Sequence, residues 1–129
     1  MRILGLDVGE KRVGVAVSDE SEMLARELEI VPANNAVSRI AVLAVNMGVD
    51  EIVVGLPLTM KGTDSEQTKK VREFGKKLEE TTDLSVIFFD ERMSTAMLKK
   101  LPGGSKNKDS LSAQIILQNY LDNNSNTQT

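Results

Sequence analysis

The sequence contains no cysteine and no histidine, and these two absences remove much of ordinary enzyme chemistry. Without cysteine, the chain forms no disulfide and has no thiolate nucleophile. Without histidine, a serine-type triad lacks its imidazole base, and a zinc site lacks the two residue types on which it normally depends. Any catalysis must therefore use carboxylates, hydroxyls, amines and hard metal ions.

Aromatic residues make up only 3% of the chain, and the formal net charge is -3. The first value argues against a platform on which single-stranded bases stack. The second argues against a protein that coats nucleic acid nonspecifically, although it allows a local basic surface around an acidic pocket. No apolar run approaches the ~18 residues that span a bilayer, and no signal-peptide pattern is present. We therefore expect a cytoplasmic protein without a membrane partner.

The 129 residues are enough for one domain with a single core. We expect residues 1–122 to form this domain and residues 123–129 to be a disordered tail, because that tail has no apolar side chain to bury. Apolar runs predict five strands, at residues 2–7, 12–17, 23–31, 51–56 and 85–90. The longer amphipathic segments predict helices over residues 36–47, 63–81 and 109–121, with a short helix from Ser94 to about residue 101.

Three strands in succession, followed by alternating helices and strands, are typical of an α/β fold. The order predicts a mixed five-stranded sheet flanked by helices. Helix 36–47 is apolar around most of its circumference, which predicts burial on two sides. The next helix has one apolar stripe, formed by Val71, Phe74 and Leu78. We interpret the lysines between residues 69 and 77 as a solvated surface without a functional role.

Local signals suggest how the elements begin and end. In the connection between the first two strands, Gly9 is free to adopt a positive φ. Asn34 and Asn35 are in position to cap helix 36–47. Thr63 and Glu66 have the spacing of a capping box for the next helix.

Acidic residues lie next to strongly apolar elements at three places: Asp7, the pair Asp90 and Glu91, and Asp109. If the strands of Asp7 and Glu91 are neighbours, two bare carboxylates ~4 Å apart would repel by roughly 4 kcal/mol at an effective dielectric near 20. A proton or a cation must then relieve the repulsion. Clusters of carboxylate oxygens suit Mg²⁺ or Mn²⁺, and two such ions can activate a water and stabilise the leaving oxygen of a phosphodiester.

Structural roles are an alternative for each of these acids. A single aspartate after a strand is commonly a turn former, and Asp109 could cap the last helix. Asp90, Glu91 and Arg92 could form a surface ion pair. The residues alone leave these readings open.

Four segments together resemble the YqgF family, also called RuvX, over residues 2 to about 122. They are LGLDVGEKRVGVAVSD (4–19), VVGLPLTMKG (53–62), DERMST (90–95) and KDSLSAQIILQNYL (108–121). The resemblance implies an RNase H-like fold. It also implies a nuclease that matures the 5′ end of precursor 16S rRNA in the bacterial cytoplasm, in ribosome biogenesis. The family was earlier proposed to contain Holliday junction resolvases.

The resemblance implies that Asp7, Glu91 and Asp109 are the catalytic residues and bind one or two Mg²⁺ or Mn²⁺ ions. Asp90 lies beside them as a reserve ligand or as a residue that orients a ligand. Strand alternation allows only one of Asp90 and Glu91 to point at the metals, and we favour Glu91. The chain departs from the family pattern in DERMST, where DERLTT is common, and in SLSAQ, which replaces a run of small residues. The second departure bears on the placement of Asp109.

Basic residues near these acids are candidates for binding the phosphates of a nucleic acid: Lys11, Arg12, Lys61, Arg92, Lys106 and Lys108. For Lys11 and Arg12, a solvated hairpin tip is the plain structural alternative. Phosphate contacts supply affinity without sequence information, so binding through them should weaken steeply with salt.

Three other functions compete with an rRNA nuclease. A phosphotransferase of the actin and sugar-kinase kind also begins with a strand, an Asp-x-Gly turn and a second strand, but it needs two such domains and the chain supplies one. A Holliday junction resolvase would act on branched DNA and would favour a homodimer over a monomer. A catalytically weak nucleic-acid-binding protein would assist ribosome assembly. The sequence does not separate precursor rRNA from branched DNA as the substrate.

Overall fold

The computed structural model describes residues 1–59, 61–90 and 108–127, which form one sheet and three helices. The strands are β1 (Ile3–Val8), β2 (Arg12–Ser18), β3 (Ala25–Pro32), β4 (Glu51–Leu56) and β5 (Ser85–Asp90). The helices are α1 (Ala36–Met47), α2 (Glu66–Thr82) and α3 (Lys108–Thr127). The predicted α/β class and mixed five-stranded sheet are confirmed. The predicted short helix from Ser94 lies outside the described residues.

The strand order in the sheet is β3-β2-β1-β4-β5. Strands β1, β2 and β3 form an antiparallel meander, because short loops join them. Strands β4 and β5 run parallel to β1, since each is reached through a helix that crosses the sheet. The carboxyl ends of β1, β4 and β5 therefore meet at one edge of the sheet.

The two faces of the sheet bury separate hydrophobic clusters. One face packs against α1 and α2, through Leu4, Leu6 and Val54 of the strands and Ile40 and Leu78 of the helices. The other face packs against α3, in a cluster that includes Ile3, Ala16, Val53, Ile116 and Leu117. Successive residues of a strand point to opposite faces, so the near-continuous apolar runs of β1 and β4 supply both clusters.

The turn between β1 and β2 differs from its prediction at Gly9. The hairpin itself forms, and the Gly9 backbone N–H donates to the Arg12 carbonyl at 2.9 Å. Gly9 does not adopt a positive φ, unlike Gly48 and Gly62. The site instead requires glycine for space, because a Cβ would lie 2.8 Å from the Arg12 carbonyl oxygen.

Strand β3 begins at Ala25, two residues later than predicted. Met23 and Leu24 donate their backbone N–H groups to the Asp19 carboxylate, at 2.9 and 3.1 Å. These two residues therefore belong to a turn that the Asp19 side chain organises. Both side chains are exposed.

The prediction that an asparagine side chain caps the start of α1 is wrong. Asn35 occupies the N-cap position without a side-chain capping bond, and a 3₁₀ turn over Ala33–Asn35 leads into the helix. At the other end, Gly48 adopts φ 65° in the left-handed region and ends the helix. The helix bounds agree with the predicted range, so the helix is specified without that cap.

The capping box of α2 is formed by Ser65 and Thr68 and not by the predicted Thr63 and Glu66. The Thr68 N–H donates to Ser65 Oγ at 3.2 Å, and the Ser65 N–H donates to Thr68 Oγ1 at 3.1 Å. Thr63 is committed elsewhere, because its N–H donates to Thr59 Oγ1 within the preceding loop. The predicted stripe of α2 is confirmed, since Val71 and Leu78 are fully buried and Phe74 packs beside them.

Helix α1 is buried on one side only, which contradicts the predicted burial on two sides. Ile40, Leu43 and Ala44 face the sheet, whereas Val45 is 81% exposed and Val42 is 48% exposed. No element in the described part of the chain covers that outer face. The apolar residues around most of the helix circumference therefore did not indicate which of its faces are buried.

Helix α3 continues to Thr127, although we expected a disordered tail after residue 122. Of the α3 side chains that the structure describes, Leu121 is the last buried one, and Asp122 and Asn123 are exposed. Within the described residues, no helix is long and apolar enough to span a membrane.

Candidate active site at the carboxyl edge of the sheet

Asp7 lies at the carboxyl end of β1 and is half-buried. It pairs with Gly14 across the antiparallel ladder to β2, which fixes its backbone on that side. Ile3 and Gly5 of the same strand pack on the α3 face of the sheet. Strand alternation therefore places Asp7 on the face that α3 covers.

The other side of β1 separates from β4 just before Asp7. The β1–β4 register pairs end at Leu6 and Val54, whereas β4 continues to pair with β5 as far as Leu56 and Asp90. Beyond Leu6 and Val54 the two strands therefore no longer pair, and we call the space between their unpaired ends the crevice. Crevices of this kind at the carboxyl ends of parallel strands are the usual ligand sites of open α/β sheets.

Helix α3 is in close contact with β1 at Gly5. A Cβ on Gly5 would lie 2.6 Å from Leu117 Cβ and 3.3 Å from the Ala113 carbonyl oxygen. Further along the helix, Tyr120 Oη donates to Glu51 Oε1 at 2.8 Å, and Glu51 is the first residue of β4. Helix α3 therefore runs antiparallel to β1, with its first turn toward the Asp7 end.

Asp109 is the second residue of α3, as its predicted place at the start of the last helix requires. It precedes Ala113 by about 6 Å of helix, while Asp7 follows Gly5 by about 7 Å of strand. The backbone of α3 thus approaches the Asp7 end of β1 where Asp109 begins the helix. Lys108, the first residue of α3, lies at the same place.

Asp90 is the last residue of β5 and is half-buried. Its register partner is Leu56, and it has the same strand parity as Val86 and Phe88, which pack on the α1 and α2 face. The alternation therefore places Asp90 on the face opposite to Asp7. Glu91, Arg92 and Lys106 lie outside the described residues, and their proposed roles stay predictions.

Lys11 and Arg12 are exposed in the hairpin that follows Asp7. The Lys11 carbonyl accepts the Ala33 N–H at 2.9 Å, and the Arg12 carbonyl accepts the Gly9 N–H. The backbone of the hairpin is therefore fixed on two sides while both basic side chains remain at the surface. Arg12 takes part in a further interaction, so a purely solvated tip does not describe it.

Lys61 is exposed in the loop that joins β4 to α2. Thr59 and Thr63 close this loop: their hydroxyls lie 2.7 Å apart, and the Thr59 N–H donates to the Thr63 carbonyl at 3.0 Å. Gly62 adopts φ 81° at the turn. The loop therefore presents Lys61 from a closed turn beside the crevice.

The same loop is attached to α2 by an ion pair. Arg72 donates to both oxygens of Asp64, at 2.8 and 3.1 Å, and this guanidinium holds the pKa of the Asp64 carboxyl below its usual value. Arg72 also lies over the ring of Phe88, 5.7 Å from its centroid. Arg72 is therefore occupied by these contacts and is not a phosphate-binding candidate.

Gln67 is a residue of this edge that the sequence analysis did not identify. Its Nε2 donates to the Val8 carbonyl at 3.3 Å, across the crevice. Thr68, beside it, is fully buried and donates its hydroxyl to the Pro57 carbonyl. The Ser65-x-x-Thr68 spacing would have indicated the cap, whereas no sequence signal marks Gln67.

No group of three or more carboxylates converges within the described side chains. That result does not include the predicted trio, since Glu91 lies outside this part of the chain and only the backbone of Asp109 is described. The donors of the trio are all carboxylate oxygens, and Asp7 lies at a crevice where an ion could bind. The donor chemistry fits Mg²⁺ or Mn²⁺.

Comparisons with known proteins identify relatives that match nearly the whole chain. The sequence profile described as "RuvX: Holliday junction resolvase" matches residues 1–123. A Streptococcus mutans protein named "Putative pre-16S rRNA nuclease" is 43% identical, over 95% of this chain and 98% of its own length. A protein of the same name from a Sulfurihydrogenibium species is 45% identical, over 94% of this chain and 90% of its own length.

Among solved structures, the chain is similar to Thermus thermophilus RuvC in complex with a Holliday junction substrate. The TM-score is 0.70 with 15% sequence identity, and the match covers 98% of this chain and 97% of RuvC. At this identity the likeness concerns the fold alone. It confirms the predicted RNase H-like fold.

Proposed function

The chain belongs to the RuvX family, and we propose that it is a metal-dependent nuclease that cleaves precursor 16S rRNA near its 5′ end. The single observation that carries the proposal is the position of Asp7. Its carboxylate stands at the crevice between β1 and β4, on the face that α3 covers, with the first turn of α3 directed toward it.

The proposed metal ligands are Asp7, Glu91 and Asp109, with Asp90 as the reserve ligand. Asp90 lies on the opposite face by strand parity, which supports Glu91 as the direct ligand of that pair. When bound, one or two Mg²⁺ or Mn²⁺ ions would supply Lewis acidity for phosphodiester hydrolysis. The carboxylates of the chain would hold them, and half-burial of Asp7 would limit the competition from bulk water.

The basic side chains would hold the nucleic acid across this edge. Lys11 and Arg12 stand on the hairpin that follows Asp7, and Lys61 stands on the closed loop after β4. Both positions are adjacent to the crevice, so phosphates on either side of the cleaved bond would meet a positive charge. Arg92, Lys106 and Lys108 are proposed as further contacts.

Branched DNA is the second candidate substrate, and the description of the family as Holliday junction resolvases favours it specifically. A junction resolvase cuts two strands and would act as a homodimer with paired active sites, whereas RNA trimming would not require a dimer. For the RNA substrate, the proposed setting is the cytoplasm and the assembling ribosome.

The test is to incubate the purified protein with a 5′-extended 16S rRNA fragment and with a four-way DNA junction, each with Mn²⁺ and with EDTA. We expect cleavage of the RNA with Mn²⁺ only. Asp7→Asn and Asp109→Asn should abolish it, while Asp122→Asn, at the exposed far part of α3, should not. Cleavage of the junction alone would favour the resolvase, and binding without cleavage under all conditions would favour an assembly factor.

A further inference from the structure

The carboxyl end of β1 is held by an unusual contact on one side. Toward β2, the ladder continues through Asp7 and Gly14 to Val8 and Val13. Toward β4, the register pairs stop at Leu6. Val8, the last residue of β1, therefore has no register partner in β4 within the described part of the chain.

Gln67 supplies the missing contact. Its side-chain amide crosses from the first turn of α2 and donates to the Val8 carbonyl at 3.3 Å. This is a long hydrogen bond, but it lies where a longer β1–β4 ladder would have continued. One peptide unit separates this carbonyl from Asp7.

The helix turn that contains Gln67 is held by hydrogen bonds of its neighbours. Ser65 and Thr68 on either side of it form the capping box, and the fully buried Thr68 hydroxyl also donates to the Pro57 carbonyl at the end of β4. The first turn of α2 is thus hydrogen-bonded to the end of β4, and Gln67 joins the same turn to the end of β1. Within the described residues, Gln67 therefore links the end of β1, through Thr68, to the end of β4.

We propose that Gln67 is a positioning residue that holds the end of β1, and with it the Asp7 carboxylate, in the geometry that binds the divalent ion. This inference rests on the proposed function, because the ion is the ligand that Asp7 is inferred to bind. Gln67 acts through the Val8 peptide, so it affects the metal without contacting it. Residues that orient a metal ligand commonly contribute 10–100-fold to metal affinity.

The test compares two glutamine-to-methionine variants, which remove the amide at nearly constant side-chain length. Gln67→Met removes the bond to Val8. Gln118→Met is the matched control, because Gln118 is also half-buried and also bonds to backbone, at Ala25 and Met23 near the start of β3. Both variants lose side-chain-to-backbone bonds, but only one of them lies beside Asp7.

Mn²⁺ affinity is measured from the EPR signal of free Mn²⁺, without any nucleic acid substrate. We expect Gln67→Met to bind Mn²⁺ about tenfold more weakly than the wild type. Gln118→Met should bind it as the wild type does, although its melting temperature falls at least as far. Equal Mn²⁺ affinity of Gln67→Met and wild type would overturn the proposal, as would an equal loss in both variants.

A metal-free readout separates this inference from the proposed function. The amide signal of Gly9 reports on the Val8–Gly9 peptide, so Gln67→Met should shift that signal and speed its hydrogen exchange, whereas Gln118→Met should not. If the wild type binds no Mn²⁺, the metal site fails, and the Gly9 signal alone then decides whether Gln67 holds the end of β1. An unchanged Gly9 signal in Gln67→Met would refute the positioning role.

Discussion

Gly5 of β1 packs directly against the side chain of Leu117 in α3: a Cβ on Gly5 would lie 2.6 Å from the Cβ of Leu117. This contact sets how closely α3 approaches the sheet. It also sets where the first turn of α3, which contains Asp109, meets the end of β1. A small residue in the core therefore controls the placement of a candidate catalytic residue two turns away.

Gly5→Ala should destabilise the protein by about 1–3 kcal/mol, because the new methyl group must displace α3. The displacement should also weaken Mn²⁺ binding, measured by EPR, since α3 would move away from Asp7. Gly75→Ala is the control, because its Cβ would meet the Phe88 ring at 2.6 Å on the opposite face of the sheet. An unaltered Mn²⁺ affinity in Gly5→Ala would show that the contact between Gly5 and Leu117 does not affect the metal site.

Ser18→Ala should lower the free energy of unfolding by about 1–3 kcal/mol. Ser18 is buried and its hydroxyl oxygen accepts the Ile3 N–H at 2.8 Å, so the variant leaves a buried donor without its partner. Urea denaturation measures the loss. Ser38→Ala, at an exposed position of α1, should change stability by no more than a few tenths of a kcal/mol.

The loop between β2 and β3 should carry a pH-dependent share of stability. Hydrogen bonds from the Ser21 hydroxyl and from the Leu24 and Met23 N–H groups lower the pKa of Asp19 to about 2, from 3.8. A depressed folded-state pKa means that the ionised carboxylate stabilises the fold above about pH 4 and that this contribution is lost as the pH falls toward 2.

Asp19→Asn should therefore melt at a lower temperature than wild type at pH 6, and the difference should shrink between pH 4 and pH 2. Thermal unfolding followed by circular dichroism measures both chains across this range. A difference that is constant with pH would mean that the charge of Asp19 does not matter. NMR titration of the Asp19 carboxyl would check its pKa directly.

Lys11→Ala should weaken nucleic acid binding and reduce the slope of log affinity against log salt concentration by about one. The reason is that a phosphate contact releases a counterion, which an uncharged side chain cannot do. Lys76→Ala, on the exposed face of α2, removes the same charge at a surface to which we assign no role and should leave the slope unchanged. Equal effects of the two variants would show that Lys11 contributes only to the overall charge of the protein and does not contact a phosphate.

Helices and strands were predicted correctly where the local sequence pattern and the tertiary packing favour the same structure. Strands β4 and β5 appear at the predicted residues, as does α1, which ends at Gly48. The failures arose where two local signals compete: Ser65 and Thr68 cap α2 because Thr63 is bonded to Thr59, and Asp19 draws Met23 and Leu24 into a turn. Such choices depend on partners that approach only in the folded chain.

The site was predictable in part for the same reason. Asp7 stands out in sequence as an acid that ends an apolar strand, and the family resemblance supplied its proposed partners. Gln67 has no such mark, because its importance comes from the point at which β1 leaves β4. The residue at which β1 stops pairing with β4 depends on the register of the sheet, and the sequence does not reveal that register.

Anomalous diffraction from crystals soaked in Mn²⁺ would locate the divalent ion without any assay of cleavage. We expect a Mn²⁺ peak about 2.1 Å from a carboxylate oxygen of Asp7, shared with Asp109 and Glu91. A peak bound elsewhere, or no peak near Asp7 at saturating Mn²⁺, would contradict the proposed metal site.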